Sequence, residues 1–172
     1  MTKPQSRTNL ASCFVATIFL IFLLLLLFIL YFTLFKPHDP KIAISAVQLP
    51  SFSVTNSTVN FTFSQYVSVR NPNRGTFSHY DSSLQLLYYG NQVGFMFVPA
   101  AKIDAGRTQY MAATFTVQAF PVASGPTMEI ESRIEMAGRV RVLHLFSHHV
   151  EAKSQCRVAI SVSDGSVLGF RC

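Results

Sequence analysis

Charged residues are scarce in this sequence. They make up 13% of its 172 residues, about half of the share that is usual in a soluble domain. The basic residues are scattered along the chain, and no cluster of lysine and arginine of the kind that follows a phosphate backbone is present. The composition therefore argues against a nucleic-acid-binding protein, and no nucleic acid is expected among its partners.

The short motifs of common catalytic and metal sites are also missing. The sequence has no G-x-S-x-G, no H-E-x-x-H, no C-x-x-C and no phosphate-binding loop. His144, His148 and His149 come nearest to a metal cluster, but His148 and His149 are more typical of a turn. The segment 78–82 (Ser-His-Tyr-Asp-Ser) holds the residue types of a hydrolytic triad without a motif for an oxyanion site. We therefore predict no catalytic residue, metal ligand or cofactor, and no enzyme.

One long uncharged run stands near the start of the chain, from Leu10 to Phe35. A segment needs about 20 apolar residues to cross a bilayer, so this run is long enough to cross with some tilt. The apolar part of a cleaved signal peptide is only about 7–15 residues long, and a buried core helix usually carries some polar residues. The run therefore predicts an uncleaved signal anchor at residues 10–35, in contact with membrane lipid. Cys13, at its edge, fits either a palmitoylation site or a small apolar filler.

The anchor divides the chain into a tail of residues 1–9, the span itself, a proline-rich stem of residues 36–40 and a domain of residues 41–172. Two basic residues precede the span and two follow it, so the positive-inside rule gives a tie. Asn56 and Asn60 begin Asn-x-Ser/Thr sequons, which are used only outside the cytosol. They favour a single-pass topology with a cytosolic N-terminus, an exoplasmic C-terminus and glycans on Asn56, Asn60 or both.

Beyond the stem the apolar period changes to two. Val59, Phe61 and Phe63 alternate with polar residues in a run that ends at Asn71-Pro72-Asn73-Arg74-Gly75, where every residue favours a turn. We expect the Asn71 and Asn73 side chains to bond to the backbone of this turn. Runs 84–89 and 93–98 flank Gly90-Asn91, a hairpin signal. We expect the aromatic residues of these two runs, Tyr88, Tyr89, Phe95 and Phe97, to serve as core and cross-strand pairs.

Similar runs continue to the C-terminus at spacings of 10–15 residues, and no amphipathic helical window appears. Met128, Ile130 and Ile134 mark one strand, and Gly138 opens another. About seven strands without helices predict an all-β antiparallel sandwich rather than β-α-β units. The domain is long enough to bury a core.

The last hairpin can be predicted in register. Ser163-Asp164-Gly165 is a three-residue loop with glycine where a positive φ is needed. Closure there pairs Ile160 with Leu168, Val158 with Phe170 and Cys156 with Cys172. Residues directly opposite on antiparallel strands have Cα atoms about 4.5–5.5 Å apart, which a disulfide can bridge. The register therefore predicts a Cys156–Cys172 disulfide.

These features together resemble a known family. The short tail, single span and proline-broken stem are followed by a set of family-like segments: Arg70-Asn71-Pro72-Asn73, Tyr88-Tyr89-Gly90, Val93-Gly94, Pro99, Cys156 and Cys172. The chain resembles the plant late embryogenesis abundant group 2 domain, in its membrane-anchored harpin-induced-like or hydroxyproline-rich glycoprotein branch. The resemblance implies a fibronectin-like Greek-key sandwich, the plasma membrane and no catalytic residues. The short tail departs from relatives with longer proline-rich ones, and the absence of a hydrophobic tail after Cys172 argues against a lipid anchor.

Two functions remain open at this point. The resemblance implies a non-enzymatic cell-surface accessory or interaction protein in plant defence of the hypersensitive type or in abiotic stress, with an unknown protein or cell-wall partner. The alternative is a lipid-handling or membrane-stabilising protein that acts at its own plasma membrane. A hydrolase is a distant third, because no motif supports it.

Overall fold

The first element of the chain is a single long helix. The computed structural model describes residues 10–55, 58–121, 125–142 and 146–172, and the chain divides into two compact units, Met1–Lys36 and Pro37–Cys172. Helix α1 spans Leu10–Phe35. Its segment Ser12–Thr33 has a mean hydropathy of 3.3, so the helix is long and apolar enough to cross a membrane.

The sequence explains how α1 accommodates its hydroxyl groups and why it ends at Phe35. The hydroxyls of Thr17 and Thr33 donate to the carbonyls of Cys13 (2.8 Å) and Ile29 (2.9 Å) one turn earlier, which satisfies them within an apolar segment. The helix ends at Phe35, two residues before Pro37. Proline cannot continue the ladder of hydrogen bonds, and it disfavours helical geometry at the residue before it.

The second unit is built from strands. Their bounds are β1 Lys41–Thr55, β2 Thr58–Arg70, β3 Phe77–His79, β4 Ser82–Tyr88, β5 Asn91–Val98, β6 Ala101–Ile103, β7 Thr108–Pro121, β8 Thr127–Val142, β9 Phe146–Ser161 and β10 Val167–Arg171.

The strands form an antiparallel sandwich of two sheets, as predicted. The smaller sheet has the order β1-β2-β7. The larger has seven strands, in the order β10-β9-β8-β3-β6, with β4 paired to β8 and β5 paired to β4. The chain leaves the smaller sheet after β2 and returns to it at β7, so the connections cross between sheets as they do in Greek-key sandwiches.

The core lies between the inner faces of the two sheets. Along β2 every second side chain is buried, including Val59, Phe61 and Phe63, so the period-two prediction is confirmed there. The facing positions of the larger sheet are equally apolar, and Leu84, Ile130, Ile134 and Ile160 are among them.

The structure has more strands than the seven predicted, and one predicted break is absent. Strand β8 runs unbroken through Gly138, which the sequence suggested as the start of a new strand. A Cβ atom at Gly138 would clash with the Ser78 carbonyl oxygen and would lie 2.6 Å from the His79 Cα. Glycine is present because β3 passes close to β8 at this point, and no turn is involved.

The expected turn at His148 and His149 was wrong. Both residues lie inside β9, opposite Val140 and Arg139 of β8. Strand β8 ends at Val142 and β9 begins at Phe146, and His144 lies outside the described residues.

The β4–β5 hairpin exists, but its loop is shifted by one residue. Tyr88 pairs with Asn91, which leaves Tyr89 and Gly90 as the two loop residues. Their φ angles are 46° and 79°, as a two-residue type I′ turn requires. Glycine in the sequence correctly predicted a turn here, and the pairing of Tyr88 with Asn91 determines which two residues form it.

Of the four aromatic residues expected to serve as core and cross-strand pairs, only Tyr88 lies in the core. Tyr88 is 7% exposed, whereas Tyr89, Phe95 and Phe97 are 78%, 55% and 56% exposed. The register explains the difference. Phe95 and Phe97 lie opposite Gln85 and Ser83, which alternate with the buried leucines of β4 and therefore point to the outer face.

Candidate functional site

The domain has one end at which the stem enters and several loops meet. We call it the stem end: residues Pro37–Pro40 of the stem, the loop Asn71–Gly75 and the turn Asp104–Arg107. The backbone joins the loop to the turn directly, because the Asn71 amide donates to the Arg107 carbonyl (2.9 Å) and the Gly106 amide donates to the Asn73 carbonyl (3.1 Å).

Asn71 is the centre of the stem end. Its side chain is fully buried, and Nδ2 lies within donating distance of the carbonyls of Gly75 (2.8 Å), Ile103 (3.0 Å) and Asp104 (3.2 Å). Its Oδ1 accepts from the backbone amide and from Nδ2 of Asn73, both at 3.0 Å. A buried amide with all its groups bonded fixes two loops at once.

Asn73 ties the stem to the domain. Its Oδ1 accepts from the His38 amide and its Nδ2 donates to the His38 carbonyl, both at 2.7 Å. The side chain therefore satisfies both backbone groups of one stem residue, much as a neighbouring strand does. Pro72 between the two asparagines has a fixed φ, which limits the freedom of the loop. The turn chemistry at residues 71–75 was visible in the sequence, but the partner of Asn73 lies 35 residues earlier.

Basic side chains surround the stem end. The register places Lys41 beside Arg70 at the ends of β1 and β2. Three further basic residues lie at the same end. Arg74 and Arg107 belong to the loop and the turn of the stem end, and the Arg141 amide donates to the carbonyl of Thr76 (3.2 Å), which follows that loop. All five side chains are exposed, and the acidic residues of this end are Asp39 and Asp104.

The charges of β8 and β9 are arranged differently. On the outer face of these strands Arg133 contacts Glu131 at 2.7 Å, Lys153 lies between Glu135 (3.9 Å) and Glu151 (3.8 Å), and Arg157 lies between Glu129 (3.7 Å) and Glu131 (3.9 Å). Opposite charges therefore alternate across the two strands. Within the described residues, the ion pairs found are confined to this face.

The predicted Cys156–Cys172 disulfide is confirmed, with Cα atoms 4.1 Å apart. It joins β9 to the end of β10, and Cys156 is fully buried. The predicted pair Val158–Phe170 is present. Ile160, however, pairs with Val167 and not with Leu168, because a register shift lies between Val167 and Gly169. One extra residue on β10 absorbs the difference, as in a β-bulge.

The loop that closes this hairpin is longer than predicted. The Ser161 amide donates to the Ser166 carbonyl and the Gly165 amide to the Ser161 carbonyl, both at 2.9 Å. Gly165 has the expected positive φ, at 72°. The Asp164 carboxylate accepts from the Ser166 amide (3.2 Å) and hydroxyl (2.9 Å). Hydrogen bonds from Ser161 and Ser166 lower the pKa of the Asp164 carboxyl from its ordinary value.

One of the two predicted glycosylation residues, Asn60, lies among the described residues. Asn56 lies outside the described residues. Asn60 is half-buried on β2, between the buried residues Val59 and Phe61, so its side chain points to the outer face of the smaller sheet. The third residue of its sequon, Thr62, accepts a hydrogen bond from the Ser51 hydroxyl (2.8 Å) on the same face.

The segment 78–82 does not assemble a triad. His79 Nδ1 lies 3.0 Å from the Tyr80 carbonyl oxygen, to which the Ser82 hydroxyl also donates at 3.0 Å. Asp81 instead accepts from the Ala100 amide (2.8 Å). In the described parts of the chain, no three His, Cys, Asp or Glu side chains are grouped to hold a metal ion. His149 contacts Glu151 at 3.4 Å on the exposed face.

Comparison with known proteins gives a match at the family level. The family described as late embryogenesis abundant protein matches residues 66–156, more than half of the chain. No curated protein matches significantly. A solution structure described as a late embryogenesis abundant protein is 15% identical with a TM-score of 0.43, over 96% of this chain and 98% of that one. A structure described as the ApaA protein of Bordetella pertussis is 12% identical with a TM-score of 0.45, over 70% of this chain and 94% of that one. TM-scores below 0.5 support no conclusion about function.

Proposed function

The chain belongs to the late embryogenesis abundant protein family, and on that premise we propose that it is a membrane-anchored, non-enzymatic stress-response protein of the plant cell surface. Family membership suggests the stress-related role. We further propose that the chain is anchored at the plasma membrane and takes part in pathogen defence.

The observation that carries the proposal is the join between helix and domain. Helix α1 ends at Phe35, and His38, three residues later, is already bonded through both backbone groups to Asn73. If α1 crosses the bilayer, almost no free linker separates the span from the first bonded residue of the domain. Such a design suits a protein that works at the membrane surface.

The exoplasmic orientation rests on chemistry. A disulfide such as Cys156–Cys172 persists in oxidising compartments and is rare in the cytosol. The Asn60 sequon lies on an outer face of the sandwich, where a glycan could be attached. Both features favour a domain outside the cell, where a second membrane protein or a cell-wall component would be its partner.

The absence of enzymatic activity is part of the same proposal. The family is generally non-enzymatic. His79, Asp81 and Ser82, the nearest set of catalytic residue types, bond to backbone groups rather than to one another. Their roles are explained by the local turns.

A second candidate function is supported by a separate observation. The exposed basic residues around the stem end favour a protein that stabilises or binds the lipid of its own membrane. In this function the domain binds lipid and needs no protein partner, whereas the accessory role requires a protein or cell-wall partner.

Rescue of a plant line that lacks the protein would test the proposal. Three versions are compared: the full chain, a version in which residues 10–35 are replaced by an unrelated transmembrane helix, and one in which they are replaced by a cleavable signal peptide. We expect the first two to restore survival under drought, salt or pathogen challenge, and the secreted version to fail. Equal rescue by the secreted version would contradict a function at the membrane.

A further inference from the structure

The basic residues of the stem end come from distant parts of the chain. Lys41 and Arg70 end two paired strands, Arg74 lies in the loop after β2, Arg107 lies in the turn before β7, and Arg141 lies near the end of β8. The fold brings these five exposed cations to one end of the domain, against two acidic residues there, Asp39 and Asp104. The fold therefore concentrates positive charge at the stem end.

These cations also lack ion-pair partners among the described residues. The ion pairs found in those residues lie on β8 and β9, where Arg133, Lys153 and Arg157 contact four glutamates. The carboxylates of the larger sheet are therefore matched to cations on their own strands. The stem-end cations remain available to an anion from outside the domain.

The backbone beneath the cations is held in place. Asn71 bonds the loop of Arg74 to Ile103 and Asp104, next to the turn of Arg107. The Arg141 amide donates to Thr76, just after the same loop. A charged surface on fixed loops loses little backbone entropy when it binds.

We propose that the stem end of the domain binds the anionic headgroups of the bilayer to which the chain is anchored. The proposal rests on the proposed function only in taking α1 as a membrane span. The stem residue His38 is bonded to Asn73 at this end, three residues after α1 ends, so the chain that comes from the span enters the domain here.

The strength of such binding can be bounded. A basic residue near an anionic membrane surface contributes about 1 kcal/mol, or roughly a fivefold gain in affinity. Removing three of these charges should weaken headgroup binding about 100-fold. The attraction falls within a Debye length of about 8–10 Å at moderate salt, so it should disappear at high ionic strength.

Hydrogen–deuterium exchange of the full chain in lipid nanodiscs would test the proposal. Exchange in peptides covering residues 70–76 and 103–108 is compared between discs of phosphatidylcholine alone and discs with increasing phosphatidylglycerol. The test variant is R74Q/R107Q/R141Q. The matched control is R133Q/K153Q/R157Q, which removes three positive charges from the paired face. The exchange rate of each variant in anionic discs is divided by its own rate in neutral discs, so a general loss of stability does not affect the ratio.

We expect phosphatidylglycerol to slow exchange in both peptides of the wild-type chain and of the matched control, and high salt to abolish the effect. The test variant should show no measurable protection at the phosphatidylglycerol fractions that protect the wild-type chain, because its headgroup binding should be about 100-fold weaker. Equal exchange in neutral and anionic discs would overturn the proposal, and so would full protection of the test variant. Protection by soluble polygalacturonate but not by anionic lipid would also overturn it and assign the surface to a wall polymer. None of these results depends on stress survival.

Discussion

The stem and strand β10 are fixed to the domain by different means. The stem is held by hydrogen bonds from Asn73, whose neighbour Asn71 is fully buried. Strand β10 is an edge strand with mostly exposed residues, and it is held by its ladder to β9 and by the Cys156–Cys172 disulfide. Burial makes hydrogen bonds effective at the stem, whereas β10 buries too little to be held by packing alone. Because only β10 is held by a disulfide, we expect reductant to weaken the attachment of β10 and to leave that of the stem unchanged.

The largest effect should come from the stem end. Asn71→Ala leaves the Gly75, Ile103 and Asp104 carbonyls without their side-chain donor. Because an orphaned buried polar group costs about 1–3 kcal/mol, we expect a loss of about 4 kcal/mol in unfolding free energy, unchanged by reductant. Denaturant unfolding of the full chain in detergent measures it. Asn91→Ala, at an exposed hairpin position, should change stability by less than about 0.5 kcal/mol. Equal effects of the two substitutions would refute a special role for Asn71.

The next effect concerns the other attachment. Cys172→Ser removes the disulfide at an exposed position, and the loop it closes has a sequence separation of 16 residues. We expect a loss of about 3 kcal/mol, because the cross-link restricts the unfolded chain. Reductant should destabilise the wild-type chain to the same extent and leave the variant unchanged.

Cys156→Ser sharpens this prediction. Cys156 is fully buried, so serine there adds a buried hydroxyl to the loss of the cross-link and should cost more than Cys172→Ser. Thermal unfolding with and without reductant compares the two. A wild-type chain that is indifferent to reductant would show that the disulfide does not hold β10.

These two attachments also show how far the sequence could predict the structure. The disulfide follows from local information: a turn with glycine, apolar alternation and cysteine spacing within one hairpin. The contacts of Asn73 with His38 and of Asn71 with Ile103 join residues 35 and 32 apart, and no periodic pattern specifies such pairs. The basic surface was missed for the same reason, since Arg74, Arg107 and Arg141 are scattered in sequence and meet only in the fold.

Substitution of buried Gln65 should change the unfolding free energy in the opposite direction to substitution of Asn71. Both side chains are fully buried, but neither Nε2 nor Oε1 of Gln65 has a hydrogen-bond partner among the described residues. We expect Gln65→Leu to raise the unfolding free energy by about 1–2 kcal/mol, because an unpaired polar group leaves the core. Asn71→Leu should lower it. Denaturant unfolding of both variants checks the signs, and a destabilised Gln65→Leu would show that Gln65 has a role that its contacts do not reveal.

The smallest effect is expected at the loop beside β10. The pKa of the Asp164 carboxyl is lowered by hydrogen bonds from Ser161 and Ser166. Its contribution is therefore present above the ordinary value of 3.8 and is lost as the pH falls through the lower folded value. Amide exchange at Ser166 should speed up in this acid range, beyond its intrinsic pH dependence, and Asp164→Asn should remove that excess. An equal acid response in the variant would exclude Asp164 as its source.

We propose above that the sandwich lies outside the cell and is held to the plasma membrane by α1. Protease treatment of intact protoplasts that express the chain with an epitope after Cys172 tests it most directly. We expect that the epitope is lost while a cytosolic control stays intact, and that the released domain runs smaller after glycosidase. Protection of the epitope under conditions that degrade a known surface protein would contradict the account.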